Sequence, residues 1–280
     1  KELAAMMVGR TVETVQVSVN TDKIAPSIVM KGLTTQEEPD RCALKNLNLE
    51  LYPGRVVGIA GINGNGQAEL VEVLAGIRRL TGGSLQFDAT TITDNRPDVM
   101  QKLGIGIIPE ERREEGLVLD LTIRENIILG ERKSEKLSHN GVFNKKKVNA
   151  YVEKLIADFD VRPNRGDAVV RFVSGGNQQK VVLARELSRD NLELVIAAQP
   201  VRGLDIGAIA FTHETLLKFR NQGKAVLLIS ADLDEIRELS DYIAGLSDGE
   251  IVSFGPANEL TNEQIGLLMG GEKILAEVGA

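Results

Sequence analysis

The sequence predicts an α/β protein: a mostly parallel core sheet, an antiparallel β part, and an inserted helical subdomain. Three observations predict it. Short apolar runs recur at RVVGIAG (55–61), LGIGIIPE (103–110), LELVIAA (192–198) and KAVLLIS (224–230), as expected of strands buried on both faces. Helical patterns lie between them, and strands alternating with helices give parallel sheets. A helix-rich, charged stretch from 110 to 174 interrupts the alternation. The expected limits are 27–109 with 175–271 for the core, 110–174 for the helical insertion and 272–280 for a C-terminal tail.

The elements follow in order. KELAAMMVGR reads as a helix ending at Gly9, and 11–26 as a linker or edge segment. SIVMKGL (27–33) and CALKNLNLELY (42–52) read as strands, the second with Leu44, Leu47, Leu49 and Leu51 as its apolar set. After the 55–61 strand comes a glycine loop. Leu70, Val73, Leu74 and Ile77 then recur at i, i+3, i+4, i+7, which marks an amphipathic helix. The cluster EERREEG follows the 103–110 strand and reads as a solvated loop. Residues 118–165 read as largely helical, with Lys145, Lys146 and Lys147 at a solvated helix start. A helix is expected over about 207–221. YIAGLSDGEIVSFG (242–255) reads as a hairpin with Asp-Gly in its turn.

Composition excludes several functions. The 280 residues suit one large domain or two small ones, and 42% apolar with 26% charged residues suits an ordinary soluble globule. No apolar run approaches the roughly 18–20 residues of a membrane helix. A net charge of −7 argues against non-specific nucleic-acid binding. The single cysteine, Cys42, excludes internal disulfides and reads as a small apolar strand residue. His139 and His213 lack metal-ligand spacing.

Two stretches carry chemistry. The first is GINGNGQAEL, between a buried strand and a helix. A loop of the form G-x-x-x-x-G-K-[ST] cradles phosphates with backbone amides, a lysine and a magnesium-bound hydroxyl. Gly61 and Gly66 have that spacing, with Ile62, Asn63, Gly64 and Asn65 between them, but Gln67 and Ala68 stand where Lys and Ser/Thr are required. Asn65 reads as a turn former, because Asn tolerates left-handed geometry. The second is FVSGGNQQK, where Ser174, Gly175 and Gly176 precede a helix with Val182, Leu183 and Leu187 on one side. Small residues at a helix start let an anion approach the backbone amides and the positive dipole end.

With these motifs and their order, the chain from about 27 to 271 resembles the nucleotide-binding subunits of ABC transporters, which are P-loop NTPase-like. It is most similar to the second half of the tandem ATPases serving bacterial importers for simple sugars and nucleosides. GINGNGQAE (through Glu69) stands at the phosphate loop. PEERREEGL (109–117) resembles the segment near the glutamine loop, SGGNQQK with Asn177 and Gln178 the signature, and GLDIG with Gly203, Leu204 and Asp205 the D-loop. The resemblance implies that residues 1–26 are the tail of a preceding ATPase half and a linker, so the chain is expected to be cut from a longer one.

The departures fall on the positions that touch nucleotide, metal or water. By resemblance, the phosphate-loop lysine falls on Gln67 and the magnesium-binding hydroxyl on Ala68. The Walker B aspartate falls on Ala198, the water-polarising glutamate on Gln199 and the switch histidine on Ala231. No aromatic residue lies between 28 and 42, where the family stacks adenine. The expectation is a degenerate phosphate loop with no catalytic residue or metal ligand of its own. ATP should bind weakly there, tens to hundreds of times more weakly than with Lys and magnesium, by the energy of charged hydrogen bonds. The signature is expected to act across a head-to-tail pair on ATP held by the N-terminal half, with Mg2+ mainly at that half's site. Transmembrane permease subunits are expected to dock around LDLTIRENIILG, a solute-binding protein to act indirectly, and the assembly to sit on the cytoplasmic face of a bacterial membrane. An active stand-alone ATPase using Glu69, Glu110 and Glu111, and a scaffold that has abandoned nucleotide, are the alternatives. Individual residues keep simpler readings: Arg202 as the partner of a surface carboxylate, Asp205 as a helix cap, and Gln178 and Gln179 as surface helix residues.

Overall fold

The computed structural model describes residues 25–272 except 89, 93, 132 and 133. The expected N-terminal helix, nearly all of the linker and residues 273–280 lie outside them. The described residues divide into two compact units, one holding Ile108–Asp190 and Pro200–Glu214, the other the rest of them.

The larger unit contains two sheets. β1 (Ile28–Thr35), β2 (Leu47–Leu51), β4 (Leu80–Phe87) and β5 (Thr90–Ile92) form an antiparallel sheet in the order β2-β1-β4-β5. β3 (Val56–Ala60), β6 (Ile105–Ile108), β9 (Leu194–Ala198), β10 (Ala225–Ser230), β11 (Tyr242–Ser247) and β12 (Glu250–Pro256) form the second, ordered β12-β11-β3-β10-β9-β6. Here β11, β3, β10 and β9 are parallel and the hairpin partner β12 is antiparallel. β3, β9 and β10 are buried at every position, which is why their sequences are unbroken apolar runs. Leu70, Val73 and Leu74 of the helix Gln67–Ala75 join the core with Val57, Ile59, Ile196 and Leu227.

Several expectations need correction. The helix after the glycine loop ends at Ala75, two residues short of Ile77. Gly76 takes φ 79, so Ile77, expected on the buried face, is 71% exposed. No other residue fits at 76, since a Cβ there would lie 2.2 Å from the Asn95 carbonyl. The 42–52 strand begins only at Leu47, because Asn46 takes φ 52. Cys42 therefore lies outside any strand, its thiol pushed up by burial and by the negative charge of Glu69. β4, β5 and the helix Pro97–Lys102 have no counterpart in the sequence reading. In β4, Gly82 and Gly83 break the alternation.

In the smaller unit, residues 118–165 are less helical than expected. They hold two helices, Ile123–Ile127 and Lys145–Asp158, and a short hairpin of β7 (Ser138–His139) and β8 (Val142–Phe143). A capping box of Thr122 and Glu125 starts the first helix, and the Asn144 side chain caps the second. Asn126 is fully buried. Its amide bonds the Val118 N–H (2.9 Å) and the Val118 and Thr122 carbonyls (both 3.0 Å), fixing the chain before the helix. EERREEG is not an open loop: Arg112–Gly116 form a π-helical turn. The helix Gly175–Leu187 packs Val181, Val182 and Leu183 inward. No helix among the described residues is long and apolar enough to cross a membrane.

In the larger unit Asp241, with no exposed surface, accepts from the Val56 N–H (2.7 Å) and from Arg220 Nη2 (2.6 Å). Removing one partner of a buried pair strands the other, so Asp241→Ala should cost about 3–5 kcal/mol, read as a lowered urea midpoint. Lys45→Ala, which breaks the exposed pair with Asp248, should leave the urea midpoint nearly unchanged.

Candidate functional site

The loop after β3 is closed by its own glutamine. Gly61 and Gly66 are buried, and Ile62, Asn63 and Gly64 are exposed. The left-handed positions are Gly64 (φ 93) and Gly66 (φ 112), not Asn65 as expected. Asn65 instead ties the loop to the β11–β12 turn. Its carbonyl accepts from Gly249 N (2.9 Å) and its Oδ1 from Asp248 N (3.3 Å). Gln67 is only 9% exposed and folds back on the loop. Its Nε2 donates to the Ile62 carbonyl (2.9 Å), and its Oε1 accepts from the Asn65 N–H (3.0 Å). Both ends of the amide are thus engaged, together with one loop N–H that a phosphate would need. Ala68 is exposed and carries no oxygen. Glu69 is buried and accepts from Arg41 Nε (3.3 Å).

Neighbouring strand ends supply the remaining positions. Ala198 ends β9 and is buried. Gln199 takes a left-handed φ of 45, donates its N–H to the Ile229 carbonyl (2.8 Å), and accepts at Oε1 from Ala231 N (3.3 Å). Ala231, after β10, is exposed. The positions that the resemblance assigns to magnesium and water therefore offer an alanine methyl, a second alanine and a glutamine amide in place of hydroxyl or carboxylate oxygens. Among the described residues no group of three or more His, Cys, Asp or Glu could hold a metal ion. The donor set at this loop does not fit magnesium.

The second helix start differs. Ser174 is exposed at the N-cap of Gly175–Leu187 and makes no capping bond. Its Oγ accepts from Asn177 Nδ2 (3.0 Å), and Asn177 Oδ1 accepts from Arg162 N (2.6 Å). The first-turn amides are left without a side-chain acceptor, at the positive end of the helix dipole. Gln178 and Gln179, read as surface residues, are 4% and 2% exposed. They spend their amides on the Val170 (3.1 Å) and Pro200 (2.8 Å) carbonyls. Of the 203–205 segment, Gly203 is left-handed, Leu204 half-buried, and Asp205 caps the next helix by accepting from Ala208 N (2.9 Å). Arg202 pairs with Glu110 and Glu111.

Sequence reasoning missed Arg41, Asn126 and Arg112. Arg41 and Arg112 act through contacts distant in sequence and Asn126 through the segment four to eight residues before it, and no motif announces any of them. Arg41 bridges Glu69 and Glu72 (2.7 Å), and Arg78 reaches Glu72 (2.9 Å) and Glu38 (3.1 Å), strapping the 38–41 segment to the loop's helix. Burial pushes the Glu72 carboxyl up, but hydrogen bonds from Arg78 and Arg41 outweigh it and hold the group below its ordinary range. That stabilisation is present above the usual carboxylate pKa of about 4.3 and is lost as pH falls through the lower folded value. Arg78→Met should move the Glu72 carboxyl titration upward, followed by NMR. Gln67→Ala should abolish slow hydrogen exchange at the Asn65 amide and cost about 1 kcal/mol of stability. Asn63→Ala should leave that amide unchanged.

Comparison with known proteins places this geometry. The family model described as ABC transporter matches residues 44–197. The nucleoside import ATP-binding protein NupA of Lactococcus lactis subsp. cremoris is 39% identical, covering 98% of this chain and 54% of that protein. The guanosine import ATP-binding protein NupO of Bacillus subtilis is 41% identical, covering 96% and 53%. The glucose import ATP-binding protein TsgD13 of Haloferax volcanii is 39% identical, covering 100% and 51%. The chain thus spans about half the length of the curated relatives it matches. A dimeric ATP-binding cassette solved in a post-hydrolysis state with ADP and Pi shares the fold, with TM-score 0.70 and 23% identity over 82% of this chain and 98% of that one. The α/β core, its antiparallel sheet and its helical unit are those of an ATP-binding cassette, and the chain belongs to the ABC transporter family.

Proposed function

We propose that the chain is the second ATP-binding half of a bacterial importer for nucleosides or simple sugars. Its own phosphate loop is hydrolysis-deficient, and its Ser174 helix completes the ATP site of the other half. The observation that carries this reading is the contrast between the two helix starts. Before the first, the Gln67 amide closes its own loop onto Ile62 and Asn65; at the second, Ser174 is exposed and makes no capping bond. The printed names of the nucleoside, guanosine and glucose import relatives support the solute class.

The residues take these roles. Gly61 to Gly66 keep the shape of a phosphate loop, and ATP entering it has to displace Gln67 from Asn65. Without a lysine charge, and with Ala68 and Ala198 lacking oxygens, that binding is weak. Gln199 and Ala231 offer no group to take a proton from water. Phosphoryl transfer depends on positioning and charge neutralisation, which bound magnesium supplies. In this reading Mg2+ is held by the other half. At that shared site Ser174, Gly175 and Gly176 present hydroxyl and amide donors to the terminal phosphate, and Asn177 orients the Ser174 hydroxyl. Gln178 fixes the helix start through Val170, and Gly203, Leu204 and Asp205 form the neighbouring loop.

The helical unit, 110–174 in this reading, docks the permease. Support comes from exposed apolar side chains at Val118, Leu129 and Phe172, the last 85% exposed. The backbone at 170–171 bonds the 119–121 segment, so Phe172 and Val118 stand on adjoining segments. The solute-binding protein acts through the permease, and the assembly sits on the cytoplasmic face of the membrane.

The test uses the full-length transporter ATPase. Ser174→Arg should reduce ATP turnover at least about a hundredfold, as losing terminal-phosphate stabilisation does at comparable sites. Turnover unchanged in that variant would refute the role across the pair. Gln67→Lys with Ala68→Ser should tighten nucleotide binding at this half by about tenfold or more, measured by calorimetry. Without the carboxylates missing at 198 and 199, it should not create a second hydrolysing site.

A further inference from the structure

Two arginines of the smaller unit hold each other's surroundings. Arg112 Nη1 donates to the Arg202 carbonyl (2.8 Å). The Arg202 guanidinium reaches back to Glu110 and to Glu111 (2.6 Å), the two residues immediately before Arg112. The 110–112 segment and the Arg202–Gly203 turn are therefore clasped in both directions. The Arg112 head also lies on the start of the Ser174 helix. A Cβ on Gly175 would sit 2.8 Å from its Nη2, and one on Gly203 4.0 Å away. Its Nε is buried without a partner, and burial pulls the guanidinium below its ordinary range. The flanking carboxylates are taken by Arg202.

Resting on the reading that Ser174 serves nucleotide across the pair, we propose that Arg112 is a positioning residue for that site. Its guanidinium sets the helix start at Ser174–Gly175 against the 202–205 loop, so turnover depends on it although it does not itself bind nucleotide. The physical basis is specific. Exposed ion pairs such as Arg202 with Glu110 and Glu111 contribute little to stability, so the clasp is worth little to folding. Its effect is geometric: it joins the turn at 110–116, the helix start and the loop before Asp205 through one planar group. Misplacement of a reacting group by about 1 Å is enough to slow a reaction up to a hundredfold.

The experiment is steady-state ATPase kinetics of the full-length transporter ATPase with Arg112→Met, Arg112→Lys, the pair Glu110→Gln with Glu111→Gln, and Ser174→Arg. Arg112→Met should lower kcat about tenfold, with KM for ATP within about twofold and Tm within about 2 °C of the parent. Arg112→Lys, which keeps the charge but lacks the planar fork, should fall between. The glutamine pair loosens Arg202, should lower kcat in the same direction, and should be non-additive with Arg112→Met because both act on one joint. If Arg112→Met turns over like the parent while Ser174→Arg is inactive, the positioning role is overturned. A raised KM with unchanged kcat overturns it as well, because that marks binding. If Ser174→Arg itself is active, it is the reading of the shared site that fails.

Discussion

The fold depends on one constraint: β3, β10 and β9 lie side by side, parallel, and buried on both faces. Strands so buried have no solvent-facing residues with which to do chemistry. Whatever the unit does must be done where the chain leaves their carboxyl ends. The register makes this concrete. Ser230 pairs with Ala60 and Ile229 with Ala198, so the 61–66 loop, Ala231 and Gln199 emerge at one edge. The bond from Ala231 N to Gln199 Oε1 follows from that adjacency. Three segments far apart in sequence share an edge because three apolar runs share a sheet.

That adjacency explains what was legible in the sequence. Continuous apolar runs announced β3, β9 and β10, because burial on both faces leaves no polar position to blur the pattern. β4 went unread because Gly82 and Gly83 interrupt it where the strand passes the backbone of β1. At Gly83 a Cβ would come within 2.3 Å of the Gly32 carbonyl. Ile77 was misread for a different reason. Periodicity carries no stop signal, and the left-handed Gly76 ends the helix before the fourth apolar residue reaches the core. In the site, the residue types were legible and their conformations were not. Gln67 stands out in the sequence as the residue at the lysine position, but its fold-back onto Ile62 and Asn65 depends on loop geometry that no spacing encodes. Gln178 and Gln179 look like surface residues, and only the positions of the Val170 and Pro200 carbonyls draw them inside.

The two helix starts share one anion-seeking feature and differ in what stands before it. A helix leaves its first N–H groups unsatisfied, and something must meet them. At Gly66–Gln67 the N-cap is a left-handed glycine with no side chain, so no side chain caps the first turn, and the Gln67 amide instead engages the Asn65 N–H of the loop before it. A neutral amide is the right partner for a site without incoming charge, since a lysine folded onto this loop would place a cation beside the positive helix end. At Ser174 a capping residue is present but does not cap, because Asn177 holds its hydroxyl.

Glycine content alone would not have separated the two. Gly176 has a packing reason: a Cβ there would press to 2.9 Å from the Ala208 methyl. Gly175 has a weaker one, since its obstacle is the far end of the flexible Arg112 side chain. Packing therefore accounts for one glycine fully and the other in part, and neither need imply a ligand. It does not account for Ser174. An exposed serine costs nothing to bond back to its own helix, and doing so would stabilise the helix by about 1 kcal/mol. Here the hydroxyl is turned aside by Asn177, itself fixed by the Arg162 N–H, so forgoing the cap is built into the surroundings and does not follow from a free rotor. An arrangement that gives up local stability to leave donors open is what a site completed by an incoming anion requires. The arrangement at Gln67 differs: there the side-chain amide is spent on the Ile62 carbonyl and the Asn65 N–H of its own loop.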